Sequence, residues 1–422
     1  MHAILMILIF VVGYFFITIE HYTKINKATV AILMAILCWI IQFANAAWSF
    51  DINMSQLEHH LADISQVIFF LLGALTIVEI INQHKGFQFI AKCITFRSKR
   101  KMLWVISLLT FFLSSILDNL TTTVVMVSLL RKLVDENQDR LLIGGAIVIA
   151  ANAGGAWTPI GDVTTTMLWI GGQLSTLAVI KNLFIPSIVC LVVSVGMLSL
   201  ALKGNFAEKY VHMDDLKVEP RGKLIFFLGV GALIFVPIFK LLTGLPPFMG
   251  ILLGLSVLWI VTDIVHSHDE QRQHLRVPNI MTKVDLSGIL FFLGILLSVN
   301  ALYTAGLLGK LAVWLNENMA NLAVISFVIG LASAVVDNVP LVAASMGMYG
   351  LDQYPTDHDF WNMVAFCAGT GGSILIVGSA AGVVFMGMEK VDFLWYVRRI
   401  SFPALAGYIA GFIAYCFGCL LM

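Results

Sequence analysis

SSILDNLTTTVVMVS, residues 114–128, and SAVVDNVPLVAASMG, residues 333–347, each set an Asp-Asn pair in the middle of apolar sequence. The pairs are Asp118–Asn119 and Asp337–Asn338, 219 residues apart (118 to 337), about half of the 422-residue chain. A carboxylate at bilayer depth costs about 3 kcal/mol or more unless something there needs it, so such a residue is a functional candidate by default. The same costly pair in both halves points to a duplicated transporter whose site lies where the repeats meet.

The composition sets the class. Hydrophobic residues make up 59% and charged residues 12% of the chain, against roughly 25% charged in soluble domains. This predicts an all-α polytopic membrane protein. Formal net charge is zero, which offers no surface for nucleic acid. The six cysteines (Cys38, Cys93, Cys190, Cys367, Cys416, Cys419) lie in or beside apolar segments, without disulfide or zinc spacing, and read as packing residues. The first 20 residues lack the basic start and small-residue cleavage site of a signal peptide and read as a first span. No enzymatic activity and no cofactor are expected.

Apolar windows of about 20 residues place spans near 3–19, 28–45, 64–83, 141–170, 180–202, 223–243, 248–266, 286–302, 361–388 and 400–421. Two further stretches, 102–130 and 322–350, are too long to cross once and too short to cross twice. They read as re-entrant hairpins with an Asp-Asn at each tip. Irregular backbone at that depth requires surrounding protein or a water-filled cavity.

The basic residues test this reading. Lys85, Lys92, Arg97, Lys99, Arg100 and Lys101 lie in one loop, and Lys203, Lys209, Lys217, Arg221 and Lys223 in another. Arg131, Lys132 and Arg140 follow the first hairpin, Arg272, Arg276 and Lys283 separate the halves, and Lys390, Arg398 and Arg399 precede the last span. The loops at 46–63, 171–178 and 351–360 hold no Lys or Arg. With the hairpins non-crossing, every basic loop falls on the cytoplasmic side and both termini fall outside. The two halves then have opposite orientations, an inverted-repeat arrangement. The expected divisions are 1–63 (N-terminal spans), 64–202 (first repeat), 203–266 (loop and scaffold spans), 267–285 (linker) and 286–422 (second repeat).

A second matched pair joins the first. ANAGGAWTPIGDVTTTMLWIGG, 151–172, aligns with AGTGGSILIVGSAAGVVFMG, 368–387. Glycine and proline within an apolar span break the helix and turn half-helix ends into the gap. The first break carries Asn152, Thr158, Asp162, Thr164 and Thr165. The second carries Thr370, Ser373 and Ser379, with Ser379 opposite Asp162, so the site is expected to be asymmetric. The set amounts to three carboxylates (Asp118, Asp162, Asp337) with Asn, Ser and Thr oxygens, and the four stretches contain no Lys or Arg. Hard cations take such oxygen ligands, which favours Na⁺, and the same carboxylates can carry protons instead. Glu79, late in TIVEIINQHKGF (76–87), is a proton-relay candidate, and His84 beside it a candidate sensor of pH. His59, His60, His266 and His268 read as solvated loop histidines. Trp48, Trp157, Trp169, Trp361 and Trp395 read as belt or core.

The paired S-x-x-x-D-N motifs (Ser114–Asn119 and Ser333–Asn338), NAGGAWTPIGDVTTTMLW (152–169) and TIVEIINQHKGF resemble NhaD-type sodium/proton antiporters of the ion transporter superfamily, over roughly residues 60–390. The resemblance implies a scaffold and a transport domain with two re-entrant hairpins, a homodimer, and an elevator-like shift exchanging Na⁺, and often Li⁺, for protons across a bacterial inner membrane. It ties the positions Asp118, Asn119, Asn152, Asp162, Thr164, Ser333, Asp337 and Asn338 to transport and implicates Glu79 and His84. A carrier of dicarboxylates or arsenite from the same superfamily is the alternative. An intramembrane aspartyl protease built on Gly161–Asp162 gives the duplicated hairpins no role.

Overall fold

The computed structural model describes residues 2–45, 49–88, 98–134, 137–206, 221–267, 270–319 and 321–421. Trp48, Lys92, Cys93, Arg97, Lys209, Lys217, His268 and the side chain of Cys419 lie outside the described set. Within it, regular structure is helical apart from one isolated bridge between Ser98 and Asn205.

Each span expected from hydropathy is present as a helix or a pair of half-helices. The first three are α1 (His2–Thr18), α2 (Lys27–Phe43) and α3 (Phe50–Gln83). Next come the arms of the first hairpin, α4 (Lys99–Leu117) and α5 (Asn119–Leu133), and a broken helix, α6 (Asn137–Gly155) and α7 (Val163–Ile170). Then follow α8 (Thr176–Ala201), α9 (Gly222–Thr243), α10 (Pro247–Val265) and α11 (Leu286–Thr304). After a short α12 (Leu307–Asn318), the second hairpin is α13 (Leu322–Ala332) and α14 (Asn338–Met348). The second broken helix is α15 (Asp359–Gly371) and α16 (Ala380–Glu389), and α17 (Phe402–Leu421) ends the chain. Seven helices among the described residues are long and apolar enough to cross a membrane.

Two hydrophobic cores divide these helices. One gathers residues of α4 to α8 and α13 to α17 around Ile147, Leu191, Phe366 and Tyr408. The other gathers α1, α2, α3, α9, α10 and α11 around Met34, Ile81, Val236 and Ile295. The half-helices α7 and α14 face both: Leu168 and Val342 pack into the first core, Met167, Trp169, Val339 and Ala343 into the second.

Ion pairs and hydrogen bonds between helix ends show the direction of each hairpin. Lys99 at the start of α4 meets Asp139 at the start of α6 at 2.5 Å. Arg131 at the end of α5 and Arg140 in α6 both reach Glu389 at the end of α16, at 2.7 and 2.9 Å. The Arg100 guanidinium donates to the Leu202 carbonyl just past α8. Both arms of the first hairpin therefore open at one end of the molecule, where most Lys and Arg lie. The second hairpin opens at the other end: the Tyr349 hydroxyl, past α14, donates to Asn316 in α12. There Asp357 and Thr356, leading into α15, bond the 172–175 turn beyond α7. The pair α6–α7 thus runs from the basic end to the other, and α15–α16 runs back.

Several expectations need correction. The part of the expected 46–63 loop from Phe50 on is not a loop: it is helical and continues unbroken through residue 63 to Gln83. Its polar face (Asp51, Glu58, His59, Asp63) lowers its hydropathy below that of a span, and Ser49 caps it by accepting from Ile52 N–H. His60 is consequently buried, with its ring nitrogen 3.1 Å from the Thr304 hydroxyl. His266 is buried too, 3.0 Å from His84. Neither is a solvated loop residue, because each packs against a neighbouring helix. The linker between the halves contains a helical turn, Val277–Met281.

Candidate ion site

Glycines bring the hairpin arms against the broken helices. A Cβ on Gly154 would collide with the Phe111 carbonyl of α4, and one on Gly371 with the Gly330 carbonyl of α13. Small residues permit this close backbone approach. At the same crossings the Ser114 hydroxyl donates to the Ala151 carbonyl at 2.6 Å, and the Ser333 hydroxyl to the Ala368 carbonyl at 2.8 Å. The two hairpins are seated alike, which delivers both Asp-Asn tips to the middle of the assembly.

Four half-helices begin there, and each is capped by a side chain. Asp118 accepts from Thr121 N–H at the head of α5 and Asp337 from Val339 N–H at the head of α14. Asp162 accepts from Thr164 N–H in α7, and Ser379 from Gly382 N–H in α16. The exposed N–H groups and partial positive charge of a helix start favour an anion, so three of the four starts already hold a carboxylate. The Asp118 backbone has φ +95°, a region costly to a residue with a Cβ. Its counterpart Asp337 has φ −47°.

Asp162, 2% exposed, is the hub. Its Oδ2 accepts from the Asn119 amide at 3.2 Å and from the Asn338 amide at 3.1 Å. Asn119 also donates to Asn152 Oδ1 at 3.1 Å, and Asn152 donates in turn to Ser373 and Ser379, each at 2.9 Å. Both tips and both breaks are joined in one network. The Thr164 hydroxyl is buried beside the Asp162 carboxylate. Thr158 and Thr165 instead hold backbone, donating to the Ser115 and Asp162 carbonyls. Thr370 donates to the Phe366 carbonyl.

Asp118 and Asp337 stand apart from this network but line the same cavity of about 100 Å³, together with Asp162, Asn119 and Asn338. A space of that size takes a few waters or a partly hydrated ion. Among the lining residues from outside the four stretches is one cation, Lys27, at the start of α2. Nothing in its local sequence marks it, because the fold alone carries it to the cavity. A separate vestibule of about 570 Å³ opens between the two cores at the end away from the basic cluster, lined by His59, Asp63, Gln173 and Asn300. Its inner wall (Val67, Met167, Leu296, Ala343) lies one helical turn from cavity residues Leu71, Val163, Phe292 and Val339.

Glu79 and His84 are not brought to the cavity. Glu79, half-buried, accepts from Asn82 and Gln83 one turn on. His84 sets Nδ1 2.7 Å from the Ile80 carbonyl and Nε2 against His266, joining the C-terminal ends of α3 and α10.

Comparison with known proteins gives a family and named relatives. Residues 14–361 match the model of the CitMHS family, described as citrate transporter. "Sodium/proton antiporter 1" of Arabidopsis thaliana is 55% identical over 412 residues, 97% of this chain and 71% of that protein. "Sodium/proton antiporter 2" of the same plant is 52% identical, covering 97% of this chain and 98% of the relative. "Na(+)/H(+) antiporter NhaD" of Vibrio cholerae is 29% identical over 96% of this chain and 90% of the relative.

Proposed function

The chain belongs to the CitMHS citrate-transporter family, and from that premise we propose that it is a secondary antiporter exchanging Na⁺ for H⁺. The observation that carries this reading is the capping of three central half-helix starts by Asp118, Asp162 and Asp337. An anion carrier would leave those starts vacant for its substrate, whereas here a bound anion would meet three carboxylates. A small hard cation meets oxygen ligands, supplied by these carboxylates with Asn119, Asn152, Thr164, Ser333 and Asn338 close by. The names of the relatives above agree with a cation as cargo.

Na⁺ and H⁺ compete for the same carboxylates. A loaded site carries one cargo at a time, and exposing it alternately to the two sides couples the flows. Li⁺, smaller and equally hard, belongs to the same cargo class. We place the movement at the seam between the two cores, along α7 and α14, with the hairpin bundle shifting elevator-fashion against the other helices of a homodimer. The halves act as inverted repeats, one hairpin facing each side. In a bacterial inner membrane the basic end lies in the cytoplasm and both termini outside.

Everted vesicles holding a pH dye test the proposal. Na⁺ and Li⁺ dequench the dye and K⁺ does so less. The apparent KM for Na⁺ rises as pH falls. Dequenching by citrate or another dicarboxylate with none by Na⁺ overturns the proposal in favour of an anion carrier.

A further inference from the structure

We propose that Lys27 is a specificity-determining residue of the ion site: a fixed internal cation that opposes the transported one and limits how tightly it is held. The inference rests on the Na⁺/H⁺ reading above. Lys27 is the first residue of α2, capped by the Asn26 side chain through Ala28 N–H. A basic residue at a helix start is opposed by the helix dipole, so propensity does not explain it. It lines the cavity that also contains Asp118, Asp162 and Asp337. Its ammonium lies 4.5 Å from the centroid of the Phe291 ring, on another wall of that cavity. Among the described residues no carboxylate forms an ion pair with it within 4 Å. The acidic groups around it are Glu20, whose Oε1 accepts from the Lys27 backbone N–H at 3.0 Å, Asp285 at the cavity rim, and the three site carboxylates. The Tyr14 hydroxyl, from α1, is buried without a hydrogen-bond partner. The N-terminal helix pair thus brings to this cavity an ammonium that is not neutralised by an ion pair.

A transported ion must be held firmly enough to be selected and loosely enough to leave. Three carboxylates with amide and hydroxyl ligands favour holding. A positive charge at the cavity wall subtracts from that attraction without blocking the ligands. The plain alternative is an interfacial lysine whose stem covers Phe291 and whose charge never reaches the site.

The test is Na⁺-driven proton movement by purified protein in liposomes at one alkaline pH, where proton competition is weak, for the unchanged protein, Lys27→Gln, Lys27→Met and Lys27→Arg. In general, two unit charges separated by on the order of 10 Å at an effective dielectric of about 20–40 alter an affinity by about 4- to 17-fold, which sets the scale for a charge lining the same cavity. Both neutral variants should lower the apparent KM for Na⁺ by about that factor and lower the maximum rate, because release slows. Lys27→Arg should retain the original KM to within about twofold. An unchanged or raised KM in a neutral variant that remains folded overturns the proposal. So does an arginine variant that follows the neutral ones. Lys27→Met keeps the apolar stem over Phe291, so failure of Lys27→Gln to fold still leaves a charge-free variant. No Na⁺ response in the unchanged protein defeats the antiport reading itself. A normal response there, with KM independent of residue 27, defeats only the role of Lys27.

Discussion

Asp162→Asn removes the charge at the hub and keeps the shape. Asp162 Oδ2 accepts two amide N–H bonds, from Asn119 and Asn338, and Oδ1 accepts one from Thr164. A hydrogen bond to a charged group contributes about 1.5–3 kcal/mol and a neutral one about 0.5–1.5. Each amide contact therefore weakens by about 1–2 kcal/mol. The new side-chain NH₂ also confronts two donors, so at most one orientation keeps an acceptor toward the tips. For the two tip contacts the loss is about 2–4 kcal/mol, on top of one fewer negative charge for the ion. At 1.4 kcal/mol per decade that weakens Na⁺ binding by about 30- to 700-fold. The assay is Na⁺-dependent dye dequenching in everted vesicles, with membrane content and thermal unfolding of the purified variant measured in parallel. We expect folded protein with no exchange at millimolar Na⁺. A variant with the original KM for Na⁺ would refute the placement of Asp162 at the site, and one that merely unfolds at lower temperature, with its KM intact, would reduce it to a helix cap.

Further outcomes follow from the same contacts. Asn338→Ala removes one donor from Asp162 and should raise the apparent KM for Na⁺ about 10- to 100-fold. Asn119→Ala should do at least as much, because that amide also serves Asn152; Na⁺ titration of exchange decides both. Gly371→Ala drives a methyl into the Gly330 carbonyl, and Gly154→Ala one into the Phe111 carbonyl. Either should cost about 1–3 kcal/mol or more and reduce the yield of monodisperse protein on size exclusion, and unchanged melting would contradict the close approach. His266→Ala strips His84 of its ring partner and should lower stability by about 1–3 kcal/mol while exchange per folded molecule stays near normal; lost exchange with unchanged melting would assign the pair a transport role.

What the chain discloses locally is what is duplicated or periodic. The hairpins were legible because a polar pair in apolar sequence occurs twice at matched spacing, and because both flanks of the first hairpin carry basic residues. The broken helices were legible from glycine and proline inside spans, and the asymmetry from Ser379 opposite Asp162. The burial of His60 was not, because an amphipathic stretch at the head of a long helix has the hydropathy of a loop. Nor was the contact of His84 with His266, a pairing across 182 residues that no local pattern encodes. Lys27 escaped for the same reason: reading the motif stretches alone finds no cation, and the one lining the cavity arrives from the N-terminal helix pair. Asn119, Asn338 and Asp162 were expected together, but the single oxygen that joins them follows from packing geometry.

That shared oxygen has a consequence for how the molecule avoids leaking. One acid serves as the anchor for two tips that derive from different halves and face different sides. Whatever neutralises it loosens both anchors in the same event. With serine rather than an acid at position 379, simultaneity becomes a matter of bookkeeping at the single oxygen of Asp162.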